Sequence, residues 1–133
     1  MKRATREWVK KAEADYRGAR SLARQTPPLH DLVCFHCQQC AEKYLKALLE
    51  ELSIAVAKSH DLDKLLTPLR PHHPGLGPLR RGLRFLTEFA VDTRYPGNSA
   101  TKRQAQAALR WAGQVRTAAR TLLGLPLRSK RSK

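Results

Sequence analysis

The sequence predicts an all-α protein, a five-helix up-and-down bundle. Three observations predict it. Ala and Leu are abundant, and apolar residues recur at three- and four-residue spacing over long windows. Aromatic residues make up only 6%, and β-branched residues do not alternate at period two. Pro27-Pro28, the Pro/Gly run of residues 71–78, Pro96-Gly97 and Gly124 fall between the periodic segments, leaving short loops suited to antiparallel helices. At 133 residues the chain is long enough to bury a core without staples.

The first helix is expected from about Arg6 to Arg24, ended by Pro27-Pro28, with Trp8, Ala12, Asp15, Ala19 and Leu22 on one face. The second begins near Leu29 or Asp31 and runs to about Leu52. A short third opens at Ser59 or Asp61, where an acidic residue suits the helix start, and ends before Pro71. Residues 71–78, PHHPGLGP, read as a loop whose His72-His73 pair is solvated. The fourth helix spans about Leu79 to Asp92. RYPGNS interrupts it, Asn98 or Ser99 caps the fifth, and that helix continues to Leu123 before Gly124 and Pro126. No internal repeat is present. Residues 1–125 form the expected domain, and 126–133 an expected disordered basic tail.

The net charge of +15 is uneven. Residues 1–24 hold 8 Lys/Arg against 3 Asp/Glu, residues 25–75 hold 5 against 6, and residues 76–133 hold 13 against 2. Such a field concentrates polyanions, whether nucleic acid, nucleotides or an acidic partner; solubility alone is the plainer alternative. No stretch approaches the roughly 20 apolar residues of a membrane span, and MKRATREWVKK lacks the apolar core of a signal peptide. A cytoplasmic location and no membrane partner are therefore expected.

All three cysteines lie in CFHCQQCAEKYLKALL, residues 34–49. On a helical wheel Val33, Cys34, Cys37, Cys40, Ala41, Tyr44, Leu45, Leu48 and Leu52 fall within an arc of roughly 140°. The thiols thus belong to the core arc, where they act as small hydrophobes. One helix wraps three such ligands around an ion poorly, and no fourth cysteine exists, so no metal or other cofactor is expected. His36, Gln39, Lys43, Lys46 and Glu50 form a narrow stripe on the other side.

The run FHCQQCAEKYLKALL resembles the second helix of HEPN domains, close to F-H-x-Q-Q-x-A-E-K-x-L-K-A-L. Three further pieces follow in that family's order: Trp8, Ala12, Asp15 and Tyr16 in the first helix; Lys58-Ser59-His60-Asp61-Leu62, like K-[ST]-H-D-L; and Arg94-Tyr95-Pro96, like R-Y-P. The resemblance spans about residues 6 to 123. It implies a five-helix bundle that forms a symmetric homodimer. It also implies association with nucleotides or RNA and, for bacterial members, a minimal nucleotidyltransferase partner in a toxin–antitoxin pair. RNase members carry an R-x4-6-H motif at the start of the last helix. Here Arg94 is present, but the permitted histidine positions hold Ser99, Ala100 and Thr101, none able to shuttle a proton near neutral pH. Arg24 and His30 also satisfy the spacing, but they straddle Pro27-Pro28 in the wrong helix.

Arg94 is the leading anion-binding candidate, since its guanidinium could grip a phosphate bidentately; its structural alternative is a cap or an ion pair with Asp92. Tyr95 could stack on a base or simply pack. Lys43 and Lys46 could present ammonium groups to the same anion, with His36 donating to the ligand or moving a proton. Gln39, His60 and Asp61 are supporting candidates, His60 tying its loop to a neighbouring helix and Asp61 starting one. Asp15 sits in an apolar face and needs a cation, either a lysine of the second helix or Arg94. Three functions compete: a non-catalytic nucleotide- or nucleic-acid-associated module working with a nucleotidyltransferase; a metal-independent RNase using Arg94 with His36 or His60; and a pure dimerisation module.

Overall fold

The computed structural model describes residues 1–90 and 95–128. Among them the chain forms α1 (Arg3–Ala23), α2 (His30–Glu51), α3 (Leu62–Leu66), α4 (Arg80–Thr87) and α5 (Lys102–Leu122), with 3-10 turns at Thr67–Leu69 and Pro74–Leu79. No strand occurs among the described residues.

Helix α2 is the axis of the fold. Thirteen of its 22 residues are buried, more than one amphipathic face supplies, so neighbours must cover it on several sides. On one side lie α1 and α5. Lys2 and Thr5 at the start of α1 both donate to the Glu51 carboxylate at the end of α2, at 3.0 and 2.9 Å, so these helices run antiparallel. Asp31 accepts from the Ala100 N–H at 2.6 Å and, further along, Tyr44 meets Arg120 at 3.1 Å; α5 therefore runs parallel to α2. The other side is covered by α3, the 3-10 turn after it and α4, through Leu62, Leu65, Leu66, Leu69, Leu83 and Leu86, all buried.

Helix ends follow local chemistry. Ser53 and Gly124, at φ 59° and 70°, follow α2 and α5 in the left-handed region. The Ile54 N–H then reaches the Leu49 carbonyl and the Leu125 N–H the Arg120 carbonyl, closing both ends as Schellman motifs. Asp61 caps α3 by accepting from the Asp63 N–H at 3.0 Å. Thr101, rather than Asn98 or Ser99, caps α5, because Gln104 lies three residues on and completes a reciprocal capping box. Asn98 instead closes a turn: its N–H reaches the Tyr95 carbonyl across Pro96 and Gly97, with Gly97 at φ 93°. The first helix starts at Arg3, three residues before the expected position. The fourth ends at Thr87, where the chain turns through three successive N–H contacts to carbonyls three residues back, ending at Ala90.

A polar knot crosses the core where α1, α2 and α5 meet. The Tyr44 hydroxyl donates to Glu13, and Arg116 grips the same carboxylate with two nitrogens, at 2.6 and 3.0 Å. Burial pushes the Glu13 carboxyl up, but Arg116 and Tyr44 outweigh it and hold the group below its ordinary value. Arg120 donates to the Pro126 carbonyl at 2.6 Å and Arg116 to that of Leu127 at 2.9 Å, tying this segment to α5. Residues 129–133 lie outside the described residues.

Candidate functional site

The wheel reading of α2 places its thiols correctly: Cys34, Cys37 and Cys40 are all wholly buried and unpaired. Burial, and then the nearby Asp31 carboxylate, push the Cys34 thiol up to about 12; burial raises Cys37 and Cys40 as well. These are inert core thiols.

The polar stripe is gathered by two carboxylates. Asp15 of α1 is 11% exposed and receives both His36, through Nδ1 at 2.8 Å, and Lys43, through Nζ at 2.6 Å. The lysine expected to satisfy Asp15 is thus Lys43, with His36 joining it. Because a carboxylate accepts, His36 Nδ1 is the donor in this pair. His36 also meets Phe35 edge to face, with ring centroids 5.3 Å apart.

The second carboxylate is Glu42, 5% exposed. It takes Lys46 at 3.0 Å, His60 Nδ1 at 2.9 Å and Gln38 Nε2 at 3.0 Å. Gln38 Nε2 also reaches the His60 carbonyl at 3.2 Å, and Gln39 donates to Gln38 at 2.7 Å. Burial pushes the Glu42 carboxyl up, while Gln38, His60 and Lys46 together bring it below its ordinary value. His60 does tie its loop to a neighbouring helix, and the anchor is Glu42. Its ring is otherwise open, 65% exposed, with Nε2 turned away from the carboxylate.

This arrangement departs from an outward row of cations. Lys46 is only 8% exposed, its ammonium engaged by Glu42 and lying 5.4 Å from the Trp8 ring centroid. Lys43 is partly exposed but shares Asp15 with His36. Tyr95 is 57% exposed, open to a stacking partner. Arg94, on which the proposed anion grip depended, lies outside the described residues, as does Asp92.

A groove of about 530 Å³ opens between the start of α2 and the entry to α5, lined among others by Leu29, His30, Leu32, Ser99 and Ala100. Thr101 stands beside it as the α5 cap. The positions that an R-x4-6-H histidine would occupy are therefore a groove wall and a helix cap.

The HEPN domain family model matches residues 5–122. The chain belongs to the HEPN domain family. Its fold also resembles two solved structures. Against TT1696 from Thermus thermophilus the TM-score is 0.77 at 22% identity, covering 88% of this chain and 96% of the other. Against ST0689, described as an archaeal HEPN homologue, the TM-score is 0.74 at 28% identity, covering 92% and 99%. No protein of curated function matches the chain.

Within this HEPN fold, the family-like residues of α2 carry structural duties that motif reading did not reveal. Glu42 and Gln38 are the two polar groups it passed over, although both are buried. The available signal was Leu49, which lies between them on the wheel and marks that flank as covered.

Proposed function

We propose that this HEPN chain is a non-catalytic, nucleotide- or nucleic-acid-associated module that works as a homodimer with a nucleotidyltransferase partner. One observation carries the reading: where the family's RNases place a histidine after Arg94, this chain has Ser99, Ala100 and the helix cap Thr101. A hydroxyl engaged in capping cannot take or give a proton near neutral pH. The charge of +15 supports polyanion association, and the family resemblance supplies the partner class and the toxin–antitoxin setting. Isothermal titration with ATP, GTP and a short RNA tests it: heat from at least one, without RNA cleavage, is the expected result. No heat from any of them, and no partner bound, would discard it.

A ribonuclease reading is favoured by a different observation. His30 shares the groove with Ser99 and Ala100, so an imidazole stands in space beside the motif position that lacks one in sequence. His36 and His60, the other candidate bases, each present Nε2 from a carboxylate-held ring. This reading requires metal-independent cleavage that disappears in His30→Ala, His36→Ala or His60→Ala.

A further inference from the structure

We infer that the surface between α1, α5 and the chain's C-terminal segment is a binding track for the phosphate backbone of single-stranded RNA. It rests on the polyanion reading above but uses neither Arg94 nor the α2 stripe. A groove of about 380 Å³ is lined there by Lys10 and Arg17 of α1, Arg120 of α5 and Arg128, with Glu13 as the one carboxylate. Glu13 is already neutralised by the two-nitrogen grip of Arg116. Lys10, Arg17 and Arg128 are exposed and have no hydrogen-bond or ion-pair partner among the described residues. Arg120 also lies 3.8 Å from Glu13, so Lys10, Arg17 and Arg128 are the groove cations with no counter-charge among the described residues.

The site is built as well as charged. Arg120 is 9% exposed, and its guanidinium is fixed by donating to the Tyr44 hydroxyl at 3.1 Å and to the Pro126 carbonyl at 2.6 Å. That second bond also brings the chain past the groove, so that Arg128 lines it. A guanidinium already immobilised loses little freedom when an anion arrives, and its planar fork suits phosphate oxygens.

Two features favour an extended polyanion over a single phosphate or a folded acidic protein. Arg3, Lys10, Arg17 and the C-cap Arg24 recur every seven residues, so they lie along one side of α1. All four are exposed, and the row spans about 31 Å. A line of single charges matches a strand of repeating phosphates, whereas a protein interface is a two-dimensional patch with an apolar centre. Beyond Arg128 the sequence adds Lys130, Arg131 and Lys133. Asp15 lies on α1 about 140° around from Lys10, so the track and the Asp15 cluster occupy different sides of the helix.

The test is fluorescence anisotropy of a labelled 20-nucleotide RNA with the full chain at several salt concentrations. Lys10→Glu/Arg17→Glu is compared with Lys64→Glu/Arg81→Glu, an equal charge change at exposed sites on α3 and α4. The first pair is expected to weaken binding about tenfold or more and to flatten the salt slope by about 1.4, the loss of two single-strand phosphate contacts. The second should change both far less. Circular dichroism melting of each variant, and the milder Lys10→Ala/Arg17→Ala, separate lost contacts from lost fold. Equal weakening by both pairs would reduce the effect to net charge and overturn the track. ATP or polyglutamate displacing the RNA at equivalent charge concentration would overturn the assignment to a nucleic-acid strand. If the unaltered chain binds RNA but Lys10→Glu/Arg17→Glu binds it equally well, the track fails while the broader polyanion reading stands; if the unaltered chain binds neither RNA nor nucleotide, both fail.

Discussion

Glu42 shows how a polar residue within a family motif can be a fold determinant. Its carboxylate, 5% exposed, holds together α2, the His60 loop and an inward lysine. Removing its charge leaves Lys46 buried and unpaired, so Glu42→Gln should cost about 3 kcal/mol in chemical denaturation. Glu42→Gln/Lys46→Met should recover part of that loss, because a buried ion pair is replaceable by apolar packing. Stability should also depend on acid. Glu13 and Glu42 are held below their ordinary value of 4.5 in the folded chain, so the folded state binds fewer protons there than the unfolded state. Their contribution is present in full above 4.5 and is lost as pH falls through the lowered folded values. Melting temperature across pH 3 to 7 should be level at the upper end and drop at the lower. The same drop in a Glu13→Gln/Glu42→Gln variant would refute the assignment.

At the scale of elements, legibility followed how each helix is covered. The core arc of α2 from Val33 to Leu48, its thiols included, could be read from a wheel because one apolar stripe met α1 and α5. The burial of Gln38, Glu42 and Lys46 could not, since a wheel assumes one buried face and α2 has two. Asp15 was legible as a buried acid needing a cation, and Asp61 as a helix start. The α5 cap was misplaced by two or three residues because RYPGNS offers several polar candidates; the Thr101–Gln104 pair decides among them. The close approach of α4 to α5 left no sequence signal beyond a lone glycine. A Cβ at Gly82 would sit 2.0 Å from the Trp111 ring. Gly82→Ala should therefore destabilise by about 1–3 kcal/mol through overpacking, although alanine is the better helix former. Gly18, where nothing lies within 4 Å of a built Cβ, is the control: Gly18→Ala should be neutral or stabilising by urea midpoint.

For the whole molecule, charge is arranged so that the middle of the chain builds the support and the ends carry the field. Residues 25–75 are near neutral, while Lys10 and Arg17 of α1, Arg120 of α5 and Arg128 converge on one groove. Four carboxylates meanwhile are paired within the chain, Glu13 by Arg116, Asp15 by Lys43, Glu42 by Lys46 and Asp63 by Arg80. That division suits a protein that holds a polyanion without transforming it. The most direct measurement incubates labelled RNA with the purified chain in chelator, reads binding by anisotropy, and then resolves the recovered RNA on a denaturing gel. The account predicts RNA that is bound at low salt, released at high salt and full length throughout. Shortened RNA, or no binding at any salt concentration, would contradict it.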